Sequence, residues 1–219
     1  MPILELNNVS YNYVTKYVTV HAVRGVSCRF EKGKLYVLCG ASGCGKTTLL
    51  SLMAGLDLPG EGEVIYNGQA TRGMDLDKHR REHVAVIYQG FNLLPQLTAA
   101  ENVMLPMELN GVNPAAAREK AGKLTALVGL TDAESARFPS MLSGGQQQRV
   151  AIARALGTPA GVILADEPTG NLDSENSMNI INLLKQLARE QEYCVIVVTH
   201  DPMMAESADV VLHMKDGRL

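Results

Sequence analysis

The sequence lacks long apolar runs, a large excess of one charge and an export signal. No stretch of its 219 residues approaches the ~18 consecutive apolar residues of a membrane-spanning helix, so we expect no direct insertion into a membrane. The formal net charge is −3, which gives no indication of a nucleic-acid partner. Residues Met1 to Glu5 have neither the basic start nor the apolar core of a secretory signal. We therefore expect a cytoplasmic protein that reaches a membrane only through a partner.

Paired cysteines and clustered metal ligands are also missing. The four cysteines are scattered and form no C-x-x-C pair: Cys28, Cys39, Cys44 and Cys194. Reduced thiols are the interpretation that this pattern favours, with Cys44 either reactive or simply fitting its glycine-rich surroundings. His79 and His83 could form a metal site from one helix face. No third ligand is in view, so we expect Asp75 to His83 to be an exposed, charged helix.

The chain does contain a strand, a glycine-rich loop and a helix in direct succession. Leu35 to Cys39 is a short apolar run typical of a buried strand, and apolar residues recur at helical spacing after Lys46. Between them lies G-x-x-x-x-G-K-T, a loop whose backbone N–H groups can surround phosphate at a helix N-terminus. A plain glycine turn is the alternative, and both flanks disfavour it. The predicted phosphate-binding residues are Gly40, Ala41, Ser42, Gly43, Cys44, Gly45, Lys46, Thr47 and Thr48.

Within that loop, two side chains have predicted roles of their own. Lys46 can reach the terminal phosphates of a nucleotide, and the hydroxyl of Thr47 can bind Mg²⁺.

Two later strands end in polar side chains that suit nucleotide chemistry. The apolar run Val162 to Ala165 leads into Asp166 and Glu167. An aspartate at the carboxyl end of a buried strand can hold Mg²⁺, and the adjacent glutamate can orient a water as general base. A pair of capping acids is the alternative, which the phosphate loop makes less favoured. Val195 to Thr199 leads into His200, at the sheet edge where α/β proteins bind ligands.

The rest of the chain completes an α/β pattern. Alternating residues in Ile3 to Leu6 and Ala22 to Phe30 predict a β-rich opening, and Val84 to Tyr88 predicts a buried strand that ends at Gln89. The amide of Gln89 could lie near a metal or a phosphate. With 46% hydrophobic residues, the chain can form one large domain. Strands that alternate with helices predict a mostly parallel sheet covered on both faces, with Val210 to Met214 as an edge strand.

One region has no strand signal. From Pro95 to about Met141 the pattern is helical throughout. A helix from Ala99 is predicted to stop at Pro106, and another to begin after the Asn113 cap. An all-helical insert therefore interrupts the α/β core.

The segment Leu142 to Gln146 reads Leu-Ser-Gly-Gly-Gln and opens a strong helix with Ser143 as its cap. Its glycines allow a ligand to approach a second helix N-terminus that can bind an anion. With this motif between a P-loop and an acid-tipped strand, the chain resembles the nucleotide-binding subunits of ABC transporters over essentially its whole length. The resemblance implies an α/β fold with a P-loop NTPase core and mostly parallel sheet, an N-terminal antiparallel β subdomain and an all-helical insert.

The resemblance also implies a division of the chain and further site residues. Residues 1–219 would form a single ABC ATPase domain, with β-rich parts at 1–34 and 56–83, the core at 35–55, 84–94 and 142–219, and the insert at 95–141. ATP and Mg²⁺ would be the cofactors. The implied site residues are Tyr13 (or Tyr11) stacking on adenine, Gln89 near metal and attacking water, Ser143, Gly144, Gly145 and Gln146 on the γ-phosphate of a second copy, Asp166 and Thr47 on the metal, Glu167 as base, Asp173 as the D-loop residue and His200 as the γ-phosphate sensor. Gly90 departs from the family, which often has an acid there.

The implied function is that of an ATPase motor that dimerises with ATP and drives an integral membrane permease. Segments such as Asn92 to Pro95 and Ala165 to Asp173 look like those of lipoprotein-release, macrolide-efflux and antimicrobial-peptide-resistance ATPases, which suggests export or extraction from a membrane. A regulator of a cell-wall or division complex without transport is the alternative. Phe91, Leu93 and Leu94 are candidates for contacting the permease, with a core role in the insert as the alternative. The protein would then lie on the inner face of the cell membrane.

Overall fold

The computed structural model describes residues 1–219. Its strands are β1 (Leu4–Val14), β2 (Thr19–Phe30), β3 (Leu35–Cys39), β4 (Glu61–Tyr66), β5 (Gln69–Ala70), β6 (Val84–Ile87), β7 (Val162–Asp166), β8 (Cys194–Thr199) and β9 (Val210–His213). Its helices are α1 (Lys46–Met53), α2 (Leu76–Glu82), α3 (Ala99–Leu109), α4 (Pro114–Leu127), α5 (Asp132–Ser135), α6 (Gly144–Leu156), α7 (Ser174–Gln191) and α8 (Pro202–Ser207). No helix combines the length and the apolar character that crossing a membrane requires.

A five-stranded parallel sheet forms the centre of the molecule, in the order β6-β7-β8-β3-β9. Alternate residues of its strands pack on opposite faces. Leu35 and Val37 join the core beneath α3, α4, α6 and α7, whereas Tyr36 and Leu38 join the core shared with α1 and the second sheet. Burial on both faces explains why these strands are continuous apolar runs. Because all five strands run the same way, their carboxyl ends meet at one edge.

A four-stranded antiparallel sheet, ordered β2-β1-β4-β5, covers the second core. Strand β1 is longer than the alternating run at Ile3 to Leu6 suggested, and it continues to Val14. Strands β1 and β2 pair along their length, so both extend from the core to the glycine-rich loop. The α/β fold with a parallel core, an antiparallel β subdomain and a helical insert is confirmed.

Helix α3 corrects the prediction that the chain leaves the helix at Pro106. The helix continues to Leu109, although proline removes one N–H from the ladder. The added turn buries Met107, and the side-chain amide of Asn110 donates to the Pro106 carbonyl at 3.0 Å. Packing of Met107 in the core therefore outweighs the local cost of the proline.

Helix α2 corrects the expectation of a wholly exposed face. His79 is buried, with its ring edge-on to Tyr66, and the His83 ring stacks on that tyrosine. His79 Nε2 lies 3.4 Å from the Met53 carbonyl oxygen, while its Nδ1 has no partner. The two histidines thus pack around an aromatic ring. Burial, aided by the neighbouring His83 and Arg80, lowers the pKa of His79.

This lowered pKa predicts a loss of stability in mild acid. The folded chain binds the His79 proton less readily than the unfolded chain, whose imidazole has its ordinary pKa of about 6.5. Below that pH the free energy of unfolding should fall as the pH falls. The slope should be steeper in wild type than in His79→Leu, by up to about 1.4 kcal/mol per pH unit. Urea unfolding at pH 7.5 and pH 5.5 measures this difference. The exposed His213, changed to Asn, is the control; equal pH dependence in wild type and His79→Leu would contradict the prediction.

Candidate functional site

A cavity of about 820 Å³ lies at the carboxyl edge of the parallel sheet. Strand β3 delivers the glycine-rich loop to it, β7 delivers Asp166, and the residues that follow β7, β8 and β6 supply Glu167, His200 and Gln89. Residues far apart in the sequence meet here because parallel strands end at the same edge.

The glycine-rich loop is shaped by contacts that leave no room for side chains. A Cβ at Gly40 would lie 2.3 Å from the Met214 carbonyl oxygen, and one at Gly45 would lie 2.1 Å from that of Ala22. Gly45 also has a φ of 107°, which residues with a Cβ rarely adopt. The loop therefore packs directly on β2 and on the residue after β9, and it turns into the N-terminus of α1. The first N–H groups of that helix have no intrahelical acceptor, and its first residues, Lys46, Thr47 and Thr48, line the cavity. This helix N-terminus can therefore bind an anion there.

Lys46 is the cation of the loop. Its ammonium donates to the carbonyls of Gly40 at 2.8 Å and of Ala41 at 3.1 Å, and the side chain is buried. Both acceptors belong to the loop itself, so the charge is held at its centre, where phosphate oxygens would meet it.

Asp166 faces the start of α1 across the cavity. The Thr47 hydroxyl donates to its carboxylate at 3.4 Å. Burial raises the pKa of Asp166, and the charge of Glu167 raises it further, whereas Thr47 and Lys46 act in the opposite direction. A hydroxyl and a carboxylate are hard oxygen donors of the kind that Mg²⁺ prefers, and a divalent cation would offset the buried charge. These two residues therefore fit the metal that the sequence implies.

Glu167 is held at both carboxylate oxygens. The Thr199 hydroxyl donates to Oε2 at 2.8 Å, and His200 Nδ1 lies 2.7 Å from Oε1. Its φ is 46°, a left-handed conformation that is uncommon for a glutamate and often found at functional sites. The side chain is largely shielded, whereas that of His200 is 75% exposed. The arrangement can position a base with a histidine on its open side.

Tyr13 and Gln89 also line this cavity. Tyr13 lies near the end of β1, 46% exposed, and its hydroxyl hydrogen-bonds with that of Thr48 at 3.3 Å. Tyr11 does not line the cavity and meets the Tyr13 ring edge-on at 5.1 Å. Of the two tyrosines, Tyr13 has the open face that could stack on a base.

The remaining predicted residues lie outside the cavity. Ser143 caps α6 and shares a capping box with Gln146, whose amide also donates to Glu134. Asp173 caps α7 by accepting from the Asn176 N–H at 2.8 Å, a bond that lowers its pKa. Gly145 allows Asn176 to pack close, since a Cβ there would lie 2.3 Å from Asn176 Oδ1. The Leu-Ser-Gly-Gly-Gln segment and Asp173 thus lie on a second surface outside this cavity. Leu172 and Ser174, which flank Asp173, line a smaller neighbouring cavity together with Glu167 and His200.

Several cavity residues were missing from the sequence prediction. His21, Arg24 and Asp216 line the side formed by β2 and the chain end. His21 is fixed by Asn12, with 2.8 Å between Nδ1 and Oδ1. No local pattern marks these residues, because their position depends on how β2 packs against the loop. The indirect signal in the sequence is Gly45, because only a residue without a Cβ lets β2 pack this closely on the loop.

Known proteins resemble this chain over nearly its whole length. Residues 23–170 match the family model described as ABC transporter. The ABC transporter ATP-binding protein YclH of Bacillus subtilis is 39% identical over 99% of this chain and 95% of its own length. The macrolide export ATP-binding/permease protein MacB 1 of Yersinia pseudotuberculosis is 44% identical over 99% of this chain, which spans 34% of that longer protein.

Solved structures agree with these relatives. The dimeric structure of MJ0796, a bacterial ABC transporter cassette, superposes with a TM-score of 0.91 and 38% identity, covering 99% of this chain and 96% of that one. A dimeric post-hydrolysis state of the same cassette, bound to ADP and Pi, gives a TM-score of 0.90. With the P-loop, the acid pair and the Leu-Ser-Gly-Gly-Gln helix in the same fold, the chain belongs to the ABC transporter family, as an ATP-binding subunit that hydrolyses ATP with Mg²⁺.

Proposed function

We propose that this chain is the motor subunit of a complex that exports a substrate, or extracts one from the membrane, through a membrane-embedded partner. The observation that carries the proposal is the division of the site into two surfaces. The cavity holds the phosphate loop, Asp166 and Glu167, while the exposed Ser143 caps the N-terminus of α6 outside it. In a dimer with two-fold symmetry, the Ser143 surface of each copy would lie against the cavity of the other copy.

Within such a dimer each residue has a proposed role. Tyr13 stacks on the base, the glycine-rich loop and Lys46 bind the phosphates, and Thr47, Asp166 and Gln89 hold the metal. When bound, Mg²⁺ would neutralise charge on the phosphate oxygens. Glu167 accepts the proton of the attacking water, and His200 meets the γ-phosphate from the open side.

The second copy supplies the other half of the site. Its Ser143, Gly144, Gly145 and Gln146 would meet the same γ-phosphate, with the N–H groups of Gly144 and Gly145 as donors, because those of Ser143 and Gln146 are paired in the capping box. Asp173 lies at the junction. Loss of that phosphate on hydrolysis removes the link between the copies.

Exposed apolar side chains in and next to the helical insert favour a membrane partner. The insert and Leu94, the residue just before it, expose apolar side chains that a lone domain would gain by burying, among them Leu94, Leu109, Val112, Phe138 and Met141. Of the three candidates near Gln89, Leu94 is exposed, Leu93 packs against the core, and Phe91 is half-buried. The relative MacB is named as an ATP-binding/permease protein, which joins such a motor to a permease in one chain. We propose that Leu94 contributes to the permease contact, which would hold this chain at the inner face of the membrane.

Isolation of the tagged protein from detergent-solubilised membranes of its source tests this proposal. We expect a multi-span membrane protein in stoichiometric amounts, and we expect Leu94→Glu to lose it while retaining ATPase activity. Met178→Glu is the matched control, because Met178 is equally exposed but lies on α7. Absence of any membrane protein, or equal loss by both variants, would contradict the proposal. A partner that stimulates the ATPase in vesicles without moving any substrate would favour the regulatory alternative.

A further inference from the structure

The chain between β6 and α3 has an unusual backbone. Phe91 and Asn92 are consecutive residues in the left-handed region, with φ of 58° and 49°. Asparagine tolerates this conformation, but phenylalanine rarely adopts it. A surface loop would relax out of such a conformation unless other parts of the molecule held it there.

Arg154 holds both of these residues. One guanidinium nitrogen donates to the Phe91 carbonyl at 2.8 Å, and the other donates to the Asn92 carbonyl. None of the ion pairs of the structure involves Arg154, so its fork of donors is directed at these two main-chain oxygens. A planar, two-pronged donor suits neighbouring acceptors, which a single ammonium matches less well.

The ends of the same loop are fixed by two asparagines. The Asn171 amide donates to the Gln89 carbonyl at 3.1 Å. Asn102, fully buried on α3, accepts from the Leu94 N–H and donates to the Leu94 carbonyl. Arg154 therefore holds the part of the loop that the two asparagines do not reach.

The Gln89 side chain depends on this path of the backbone. Its amide lies against Gly170, where a Cβ would be 2.9 Å from Gln89 Nε2, and it lines the nucleotide cavity. Two residues separate Gln89 from Asn92, so a change at Phe91 and Asn92 would displace the amide. Arg154 is part of α6, which begins next to Ser143.

We propose that Arg154 is a positioning residue for ATP hydrolysis, which holds the loop at Phe91 and Asn92 so that the Gln89 amide stays in the nucleotide cavity. This inference rests on the proposed role of Gln89 at the metal and the attacking water. Arg154 does not touch the substrate, and it acts through the loop alone.

Kinetics of Arg154→Met, Arg154→Lys, Gln89→Ala and the Arg154→Met/Gln89→Ala double variant test the proposal. We expect Arg154→Met to lower kcat about 10- to 100-fold with little change in KM for ATP, because displacement of a group by about 1 Å can cost that much. Arg154→Lys should recover part of the rate. The double variant should be no slower than Gln89→Ala. Arg118→Met, at an exposed position of α4, is the control and should match wild type.

A second readout follows the loop itself. Chymotrypsin should cleave after Phe91 several-fold faster in Arg154→Met than in wild type or Arg118→Met, while the thermal midpoint shows that the domain is folded. Unchanged cleavage, or losses that multiply in the double variant, would overturn the positioning role. If Gln89→Ala slows hydrolysis and Arg154→Met does not, this inference fails and the proposed function stands. If Gln89→Ala is as fast as wild type, the proposed role of Gln89 fails, and the positioning role fails with it.

Discussion

Glu167→Gln is expected nearly to stop ATP turnover while keeping the ability to bind ATP. Glutamine has nearly the same shape, and its amide can still accept from Thr199 and donate to His200, so the left-handed backbone at 167 should persist. It cannot take up a proton at neutral pH, and a well-placed general base contributes about 10²- to 10⁴-fold to a rate. The steady-state ATPase rate should therefore fall by about that factor, and displacement of a fluorescent nucleotide should show an unchanged affinity for ATP.

The same variant should reveal the dimer. If hydrolysis releases the two copies, a chain that binds ATP without hydrolysing it should accumulate as a dimer, and light scattering under saturating ATP measures its mass. Glu206→Gln removes the same charge at an exposed position of α8 and should behave as wild type. Ordinary hydrolysis by Glu167→Gln would disprove the assignment of the base. A monomer under saturating ATP would count against a site made from two copies.

Much of the fold could be predicted because its signals are local. The bounds of β3 agree with the apolar run at Leu35 to Cys39, and the caps at Asn113 and Ser143 begin the helices that they predicted. Buried parallel strands have to be continuous apolar runs, and each is followed by a loop at the same sheet edge. These rules were enough to predict which polar residues follow the strands that form the site.

The errors arose where distant parts of the chain decide the outcome. Pro106 stays helical because Met107 packs in a core that the local sequence does not reveal, and His79 is buried because Tyr66 and Gly55 leave a space that fits its ring. The hydrogen bonds of Arg154 cross more than sixty residues of sequence. A charged residue on a helix is usually exposed, so nothing in the pattern indicated that this one would hold a loop.

Two inactive variants should restore activity when they are mixed. Lys46→Ala removes the ammonium that the phosphates meet. Ser143→Asp keeps a good helix cap but adds a negative charge beside the γ-phosphate of the other copy. Each homodimer then has two defective sites. In the mixed dimer one site carries both defects, whereas the other pairs an intact loop with an intact Ser143 and is complete. With random pairing and independent sites, an equal mixture should show about a quarter of the wild-type rate.

Ser143→Thr, which keeps both the cap and the neutral charge, is the control and should be active alone. A mixture of Lys46→Ala with Ser143→Thr contains one chain that is active by itself, so its rate should follow the activity of the threonine variant. In the mixture with Ser143→Asp neither chain is active alone, so any recovered rate must come from mixed dimers. A mixture of Lys46→Ala and Ser143→Asp that stays inactive, while forming dimers with ATP, would mean that Ser143 serves the cavity of its own chain. The structure argues against that outcome, because Ser143 lies outside the cavity that its own Lys46 occupies.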